Sequence, residues 1–393
     1  MQTPPVPASS DMPLCFVVNS DYNSIGGAMT RFRAEVEHFS SKGYPVIVIY
    51  SSTGTKKFFR KGKVDYYNIR HVRNSTLLFY QARLFFRCLK LYLSNPRLTF
   101  IVHEPISAIP VSLLRFLGLH PKTVLVMHGP MAVETYLRGH KTIATVLSMV
   151  DRIALAFAGK IVAVSEYERN YAISLKANPR KIVIIRNGIE FPKLTDHSSF
   201  RREMEIPPDR VTIGYIGSIA AYRGTEFLIE TFPIAKTMAK TPLALVLVFR
   251  EELTEEQKKK IKETAGPSCE DVYISRPRKD VPAVLSALDI YASHFSRKID
   301  GIGYSIMEAM GSGLPVITGK DEITNKLLKD GVDAILVDKE NAKQIAEAIK
   351  KLAEDEPLRR RIGNNAKKTA IDEFSKTHML ELCEKEYLSK VSH

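Results

Sequence analysis

The feature that most limits the fold is a supersecondary pattern that occurs twice, once in each half of the chain. In the first copy, Leu14-Cys15-Phe16-Val17-Val18 is an unbroken apolar run of the kind carried by a strand buried on both faces. A polar loop ending in Gly26-Gly27 follows. Met29, Phe32, Val36 and Phe39 then recur at helical spacing up to Lys42-Gly43, a helix-stop signal. Residues Tyr44 to Tyr50 make the next apolar strand, completing a βαβ unit. The second copy opens with the strand Val211 to Ile216, breaks at Gly217-Ser218, and resumes after Arg223-Gly224. There a helix from Thr225 carries Phe227, Leu228, Ile229 and Phe232, and Leu243 to Phe249 is the closing strand. Short strands continue between helices at Lys122–Met127, Lys160–Val164 and Lys181–Ile185. The expectation is an α/β protein of two doubly wound, Rossmann-like domains with ligand bound in the cleft between them. A hinge is expected between Asn187 and Asp209, where Pro192, Pro207 and Pro208 lie among polar residues.

Composition narrows the class. With 393 residues and 45% hydrophobic content, the chain can bury a large core, and no run of ~18–20 apolar residues is present to span a bilayer. Cys15, Cys88, Cys269 and Cys383 lie far apart and show no zinc-ligand spacing, so neither a disulfide framework nor a structural metal is expected. Residues 1–13 are Pro/Ser-rich and read as a flexible tail, not a signal peptide. The net charge of +14 is uneven: residues 1–190 hold 25 Lys+Arg against 11 Asp+Glu, and residues 191–393 hold 32 of each. The two halves therefore face different partners.

The densest chemical signal runs from Asp300-Gly301-Ile302-Gly303 through Glu308-Ala309-Met310 to Gly313-Leu314-Pro315-Val316. A glycine loop at a helix N-terminus offers backbone N–H groups to phosphate or hydroxyl oxygens. Asp300 and Glu308 stand about two helical turns apart and can face one site, where carboxylates accept hydrogen bonds from sugar hydroxyls. Read alone, the two acids are equally a turn Asp and a solvent-facing helix Glu. Neither glycine loop is a full G-x-G-x-x-G, so the dinucleotide fingerprint is missing.

This segment resembles the E-x7-E motif of the retaining glycosyltransferases of family 4, which have the GT-B fold. Leu288 to Ser293, Glu308-Ala309-Met310 and Gly313 to Val316 are similar to the motif's surroundings. Gly217 with Arg223-Gly224 is similar to the family's G-R-x(4)-K-G loop, Ile184 to Ile189 to its v-I-P-N-G-v-D stretch, Ser165-Glu166 to its V-S-E, and Gly26-Gly27 to its acceptor-side loop. The likeness covers nearly the whole chain in order. It implies an acceptor-side domain of residues 1–190, a nucleotide-sugar domain of residues 191–373, and a terminal helix from 374 to 393 that packs back on the first.

The resemblance also implies roles. Glu308 would hold the ribose of the donor, and Asp300 with the backbone of Gly301, Ile302 and Gly303 the transferred sugar. Gly217, Ser218 and Arg223 would line the diphosphate, Arg223 as its cation. Gly26 and Gly27 would form the acceptor and diphosphate loop. His128, in Val126-Met127-His128-Gly129, matches a family histidine near the reaction centre; a lone histidine ending a strand can equally be structural. His103-Glu104, ending another strand, reads as structural. The implied reaction is sugar transfer from a UDP-sugar, or second a GDP-sugar, to a hydroxyl acceptor with retention. No cofactor or metal is expected, since the chain has no D-x-D pair. Three departures stand out: Asp300 replaces Glu, Ser218 replaces Arg, and Asn325-Lys326 fall where the family has Pro-Glu. Arg250, Arg276 or Arg278 could replace the missing cation in space. A non-enzymatic alternative is a degenerate member that binds sugar-nucleotide or membrane without turnover.

The basic excess concentrates at 51–100, with 11 basic residues and one acid. Within residues 56–93, Arg83, Arg87 and Lys90 fall on one helical face among aromatics and leucines, which suits an anionic membrane surface. The other reading is a core helix with its charges in solvent. A membrane-associated glycolipid, lipid-linked saccharide or envelope polysaccharide is therefore the expected acceptor, and a cytoplasmic protein peripheral on the inner membrane face the expected location. Nothing resembles a nucleic-acid-binding motif.

Overall fold

The computed structural model describes residues 12–24, 27–54, 57–69, 77–137, 139–191, 196–219, 224–297 and 301–389. Contacts divide the chain into two units, residues 1–188 with 376–393 and residues 189–375.

Among the described residues the first unit is built on eight strands: β1 (Leu14–Val18), β2 (Val46–Tyr50), β3 (Phe58–Lys61), β4 (Val64–Asn68), β5 (Thr99–His103), β6 (Lys122–Met127), β7 (Lys160–Ala163) and β8 (Ile182–Ile184). Their order is β3-β4-β2-β1-β5-β6-β7-β8, parallel throughout except for the antiparallel β3–β4 pair. The helices connecting them are α1 (Gly27–Ser41), α2 (Leu77–Ser94), α3 (Pro105–Phe116), α4 (Met131–Leu137), α5 (Lys141–Phe157) and α6 (Glu166–Ser174). All five residues of β1 are buried, because a doubly wound sheet covers both its faces. One face carries α2, α3 and α5, packed through Leu84, Val111 and Leu155. The other carries α1, whose apolar stripe Met29, Phe32, Val36 and Phe39 is buried as its spacing predicts.

Among the described residues the second unit has six parallel strands: β9 (Val211–Gly217), β10 (Leu243–Phe249), β11 (Val272–Ser275), β12 (Ile290–Ser293), β13 (Val316–Gly319) and β14 (Ile335–Val337). They are ordered β11-β10-β9-β12-β13-β14. Its helices are α7 (His197–Glu203), α8 (Thr225–Met238), α9 (Glu255–Ala265), α10 (Val281–Ser286), α11 (Tyr304–Gly311), α12 (Glu322–Leu327), α13 (Ala342–Glu354) and α14 (Glu356–Phe374). Of the linking stretch 187–209, residues 192–195 lie outside the described residues.

The last helix, α15 (Lys376–Leu388), belongs to the first unit and lies on α1. Met379, Leu380, Cys383 and Tyr387 enter the core beside Phe32 and Phe39. Tyr387 stacks on Phe39 at 5.9 Å between ring centroids.

In both units the chain steps outward from a central strand and then returns to its other side. The resulting switch points lie between β1 and β5 and between β9 and β12. At such points the loops leaving the strands diverge, and a doubly wound sheet opens a site at its carboxyl edge.

Candidate functional site

At the second unit's switch point lie the predicted residues that the structure describes: Gly217 and Ser218 at the end of β9, and Gly301, Ile302, Gly303 and Glu308 after β12. Gly217 ends β9, and its carbonyl accepts the Arg250 N–H at 3.0 Å. A Cβ at Gly217 would lie 2.3 Å from Tyr215 Oη, whose hydroxyl donates to the Ser218 carbonyl at 2.8 Å. The Ile219 N–H donates to Glu251 Oε1 at 2.6 Å, so the loop after β9 is held by the end of β10. Gly224, at φ 74°, precedes α8, and a Cβ there would meet the Ser296 backbone nitrogen at 2.5 Å. Only glycine allows that approach between the loops of β9 and β12. Arg223 and Asp300 lie outside the described residues, as does Gly26; Gly27 is the first residue of α1.

Gly301, Ile302 and Gly303 lead into α11, where the first N–H groups have no intrahelical acceptor. The Gly301 N–H donates to Asp321 Oδ2 at 3.1 Å. That carboxylate also pairs with Lys339 at 3.0 Å, both side chains being buried, and its other oxygen caps α12 through the Ile323 and Thr324 N–H groups. Asp321 and Lys339 thus brace the glycine loop. The sequence signal for the brace was the helix-start pattern of Asp321 ahead of Thr324, which by itself says nothing about Gly301.

Glu308 lies in α11 and is half-buried. Burial raises its pKa, and the positive charge of Arg250 partly offsets this. Among the described residues its carboxylate has no hydrogen-bond partner, so it can accept from a ligand's hydroxyls. Of the three arginines considered for the missing cation, Arg278 is held by Glu203 and Asp280 and lies over the Phe200 ring, and Arg276 stands 3.8 Å from the same Glu203. Arg250 is exposed at the end of β10 and, among the described residues, has no carboxylate within 4 Å.

His128 belongs to the first unit, at the end of β6, and the structure joins it to His103, which its sequence position had left as structural. His103 Nδ1 and His128 Nε2 are 2.7 Å apart, and His103 Nε2 is 3.1 Å from Glu35 Oε2. Glu35 is fully buried in the middle of α1. Its other oxygen accepts from Arg31 Nε at 2.7 Å and Tyr387 Oη at 3.0 Å. Arg31 also donates to the Ile185 carbonyl at 2.7 Å. Burial pushes the Glu35 carboxyl up, but His103 and Arg31 outweigh it and hold it down at about 2. Burial, His103 and Arg31 together drive His128 well below the usual histidine range, so its imidazole is neutral. Hydropathy periodicity cannot find this chain, because Arg31 and Glu35 sit where a buried helix face predicts apolar residues. The next residue, Glu104, has φ 75°, and burial followed by the charge of Glu134 pushes its carboxyl up to about 7.

Both halves of the chain match glycosyltransferase families. Residues 196–369 match the family described as glycosyl transferases group 1, and residues 25–191 match glycosyltransferase family 4. The capsular polysaccharide biosynthesis glycosyltransferase CapM of Staphylococcus aureus is 25% identical over 93% of this chain and 95% of its own length. An uncharacterized glycosyltransferase of Methanocaldococcus jannaschii is 24% identical over 58% of this chain, which spans 57% of that protein. Among solved structures, sucrose-phosphate synthase from Thermosynechococcus elongatus superposes with TM-score 0.78 at 17% identity, covering 96% of this chain and 98% of that one. Anabaena HepE in complex with UDP and glucose gives 0.75 at 18%, covering 96% and 100%.

Proposed function

The chain belongs to family 4 of the glycosyltransferases, with their GT-B fold of two Rossmann-like domains, and from that premise we propose that it moves a sugar from a UDP-sugar to a hydroxyl acceptor with retention at the anomeric carbon. The observation that carries the reading is the half-buried Glu308 carboxylate beside Arg250 at the second unit's switch point, without a hydrogen-bond partner among the described residues. A carboxylate there suits the two hydroxyls of a ribose. Arg250, with Arg223, supplies positive charge for the leaving diphosphate in place of the Arg that Ser218 replaces. The loop at 301–303 suits the transferred sugar. Position and electrostatics then carry the reaction, the leaving diphosphate deprotonating the acceptor on the same face, with no metal needed. The preference for UDP is supported by HepE, solved with UDP and glucose. The envelope acceptor is supported by CapM, named for capsular polysaccharide biosynthesis.

A thermal-shift and turnover screen with UDP-, GDP- and ADP-sugars tests this. The donor should stabilise the protein by ~2.7 kcal/mol at a hundredfold its Kd and release nucleoside diphosphate in the presence of EDTA. Stabilisation without any release would instead favour the non-catalytic alternative, and no response to any donor would overturn both readings.

A membrane-held acceptor has a surface to match. Phe79, Phe86 and Leu93 recur every seven residues on the outer face of α2, each about two-thirds exposed, with Arg83 and Lys90 exposed beside them. Arg87 does not join them, because its guanidinium lies 4.5 Å over the Tyr67 ring. Neighbouring α3 exposes Leu113 and Phe116, and α5 exposes Ile143, Val146 and Met149. Among the described residues the second unit exposes only Ile234, Val332 and Ile371 as large apolar side chains. Among the described residues no helix is long and apolar enough to cross a membrane. Apolar side chains flanked by basic ones suit the boundary of an anionic bilayer. The protein should therefore float with phosphatidylglycerol vesicles. Lys90→Glu removes one favourable charge and adds an unfavourable one, worth ~1 kcal/mol each, so binding should weaken roughly 30-fold. Flotation unaffected by Lys90→Glu and Phe86→Glu together would exclude this face.

A further inference from the structure

Glu35, His103 and His128 form a hydrogen-bonded line from the buried middle of α1, across the end of β5, to the end of β6. Its polarity follows from its deepest member. The Glu35 carboxylate is ionised and acceptor-only, already receiving bonds from Arg31 and Tyr387. His103 must therefore present its Nε2–H to Glu35 Oε2. With Arg31 already pairing the Glu35 charge at 2.7 Å, one proton on His103 completes the contact, and its other nitrogen, Nδ1, accepts. The group facing it at 2.7 Å is His128 Nε2, which has to be the donor. His128 is left with its lone pair on Nδ1.

We propose that Glu35 and His103 are positioning residues for His128, holding it as the Nε2–H tautomer so that Nδ1 is presented as a hydrogen-bond acceptor. An unprotonated Nδ1 receives a hydrogen bond from a sugar hydroxyl and repels a carboxylate, so the line selects what His128 can bind. This rests on the reading above that His128 serves the reaction centre, but the tautomer exists with or without substrate. The charged and titratable groups facing the two rings are Arg31 and Glu35 from α1; Cys383 and Tyr387 of α15 lie behind Glu35. The apolar walls against His103 are Phe16 and Phe32, with ring centroids at 6.5 and 4.8 Å. Water therefore has little room to replace a lost partner on that side.

Long-range proton–nitrogen NMR of the full chain, labelled with 15N-histidine, reads the tautomer directly. Wild type should show His128 with a protonated Nε2 and a bare Nδ1, and a protonated Nδ1 would overturn the proposal. His103→Leu removes the acceptor, so the His128 signals should move towards mixed tautomers. UDP-glucose turnover should then fall about tenfold in kcat with KM within twofold. His103→Asn places an amide oxygen near the lost Nδ1; it should restore the tautomer and return kcat to within threefold of wild type. If both variants lose activity alike while the His128 signals stay unchanged, His103 only fills space and the proposal fails. His128→Ala separates the two claims. Full turnover in that variant would remove His128 from the reaction centre while leaving the tautomer result intact.

Discussion

Replacing Glu308 by Ala should lower kcat/KM for the donor by roughly 10²- to 10⁴-fold, the largest catalytic effect expected of any single change in this chain. A hydrogen bond to a charged acceptor is worth ~1.5–3 kcal/mol, and a carboxylate can receive one from each ribose hydroxyl. Nothing among the described residues competes for that carboxylate, so its loss leaves no protein donor stranded and the fold should survive. Glu308→Gln keeps one acceptor oxygen and should lose less. Arg250→Ala should differ in kind. A cation at the leaving diphosphate matters most as charge develops, so kcat should drop ~10²- to 10³-fold with a smaller change in KM. Steady-state kinetics on the three variants checks this. Equal and slight losses in all three would mean that the donor does not bind at the switch point between β9 and β12.

The second large effect is on stability. Arg31 and Glu35 are ion-paired at 2.7 Å with both side chains fully buried. Arg31→Met should destabilise the first unit by ~3–5 kcal/mol, since breaking a buried pair leaves the other charge uncompensated. The same network predicts an acid signature. The Glu35 carboxyl is held at about 2, below its ordinary value of 4.5. A depressed carboxyl pKa contributes stability that is present above the unfolded value and is lost as pH falls through the folded one. The shift corresponds to roughly 3 kcal/mol, lost between about pH 4.5 and 2. Wild type should thus exceed Glu35→Gln in stability at pH 6, and the gap should narrow by roughly 2 kcal/mol by pH 3. Hydrogen exchange of peptides from α1 and α15 measures this for the first unit alone. A gap constant across that range would mean that Glu35 is not held ionised in the fold.

Much of the fold was legible in the residues. β1, β10 and the stripe of α1 followed from runs and spacings, because strands buried on both faces and one-sided helices leave periods in a sequence. The glycine loop and the helix carrying Glu308 were legible too, and the resemblance to a family motif is what singled out that carboxylate. The basic stretch was legible as a composition but misassigned in one member. Arg87 shares a helical face with Arg83 and Lys90 on paper, and the Tyr67 ring that covers it comes from β4, a strand away.

What remained hidden has a common cause. His103 and His128 are twenty-five residues apart, and neither shows a local pattern. They meet because β5 and β6 are adjacent parallel strands whose ends fall together. Glu35 reaches them from α1, and Tyr387 reaches Glu35 from α15, far along the chain. Likewise Asp321 steadies Gly301 only because the ends of β12 and β13 are neighbours. Period and motif are local properties, so the sequence by itself determined the two βαβ-built units, their charge asymmetry and the glycine loop ahead of α11 that resembles a family motif. Which cation stands beside Glu308, which brace holds the glycine loop and which partners orient His128 were decided by the order of strands in the two sheets. Strand order is a tertiary fact, and it alone sets which loops meet at a carboxyl edge.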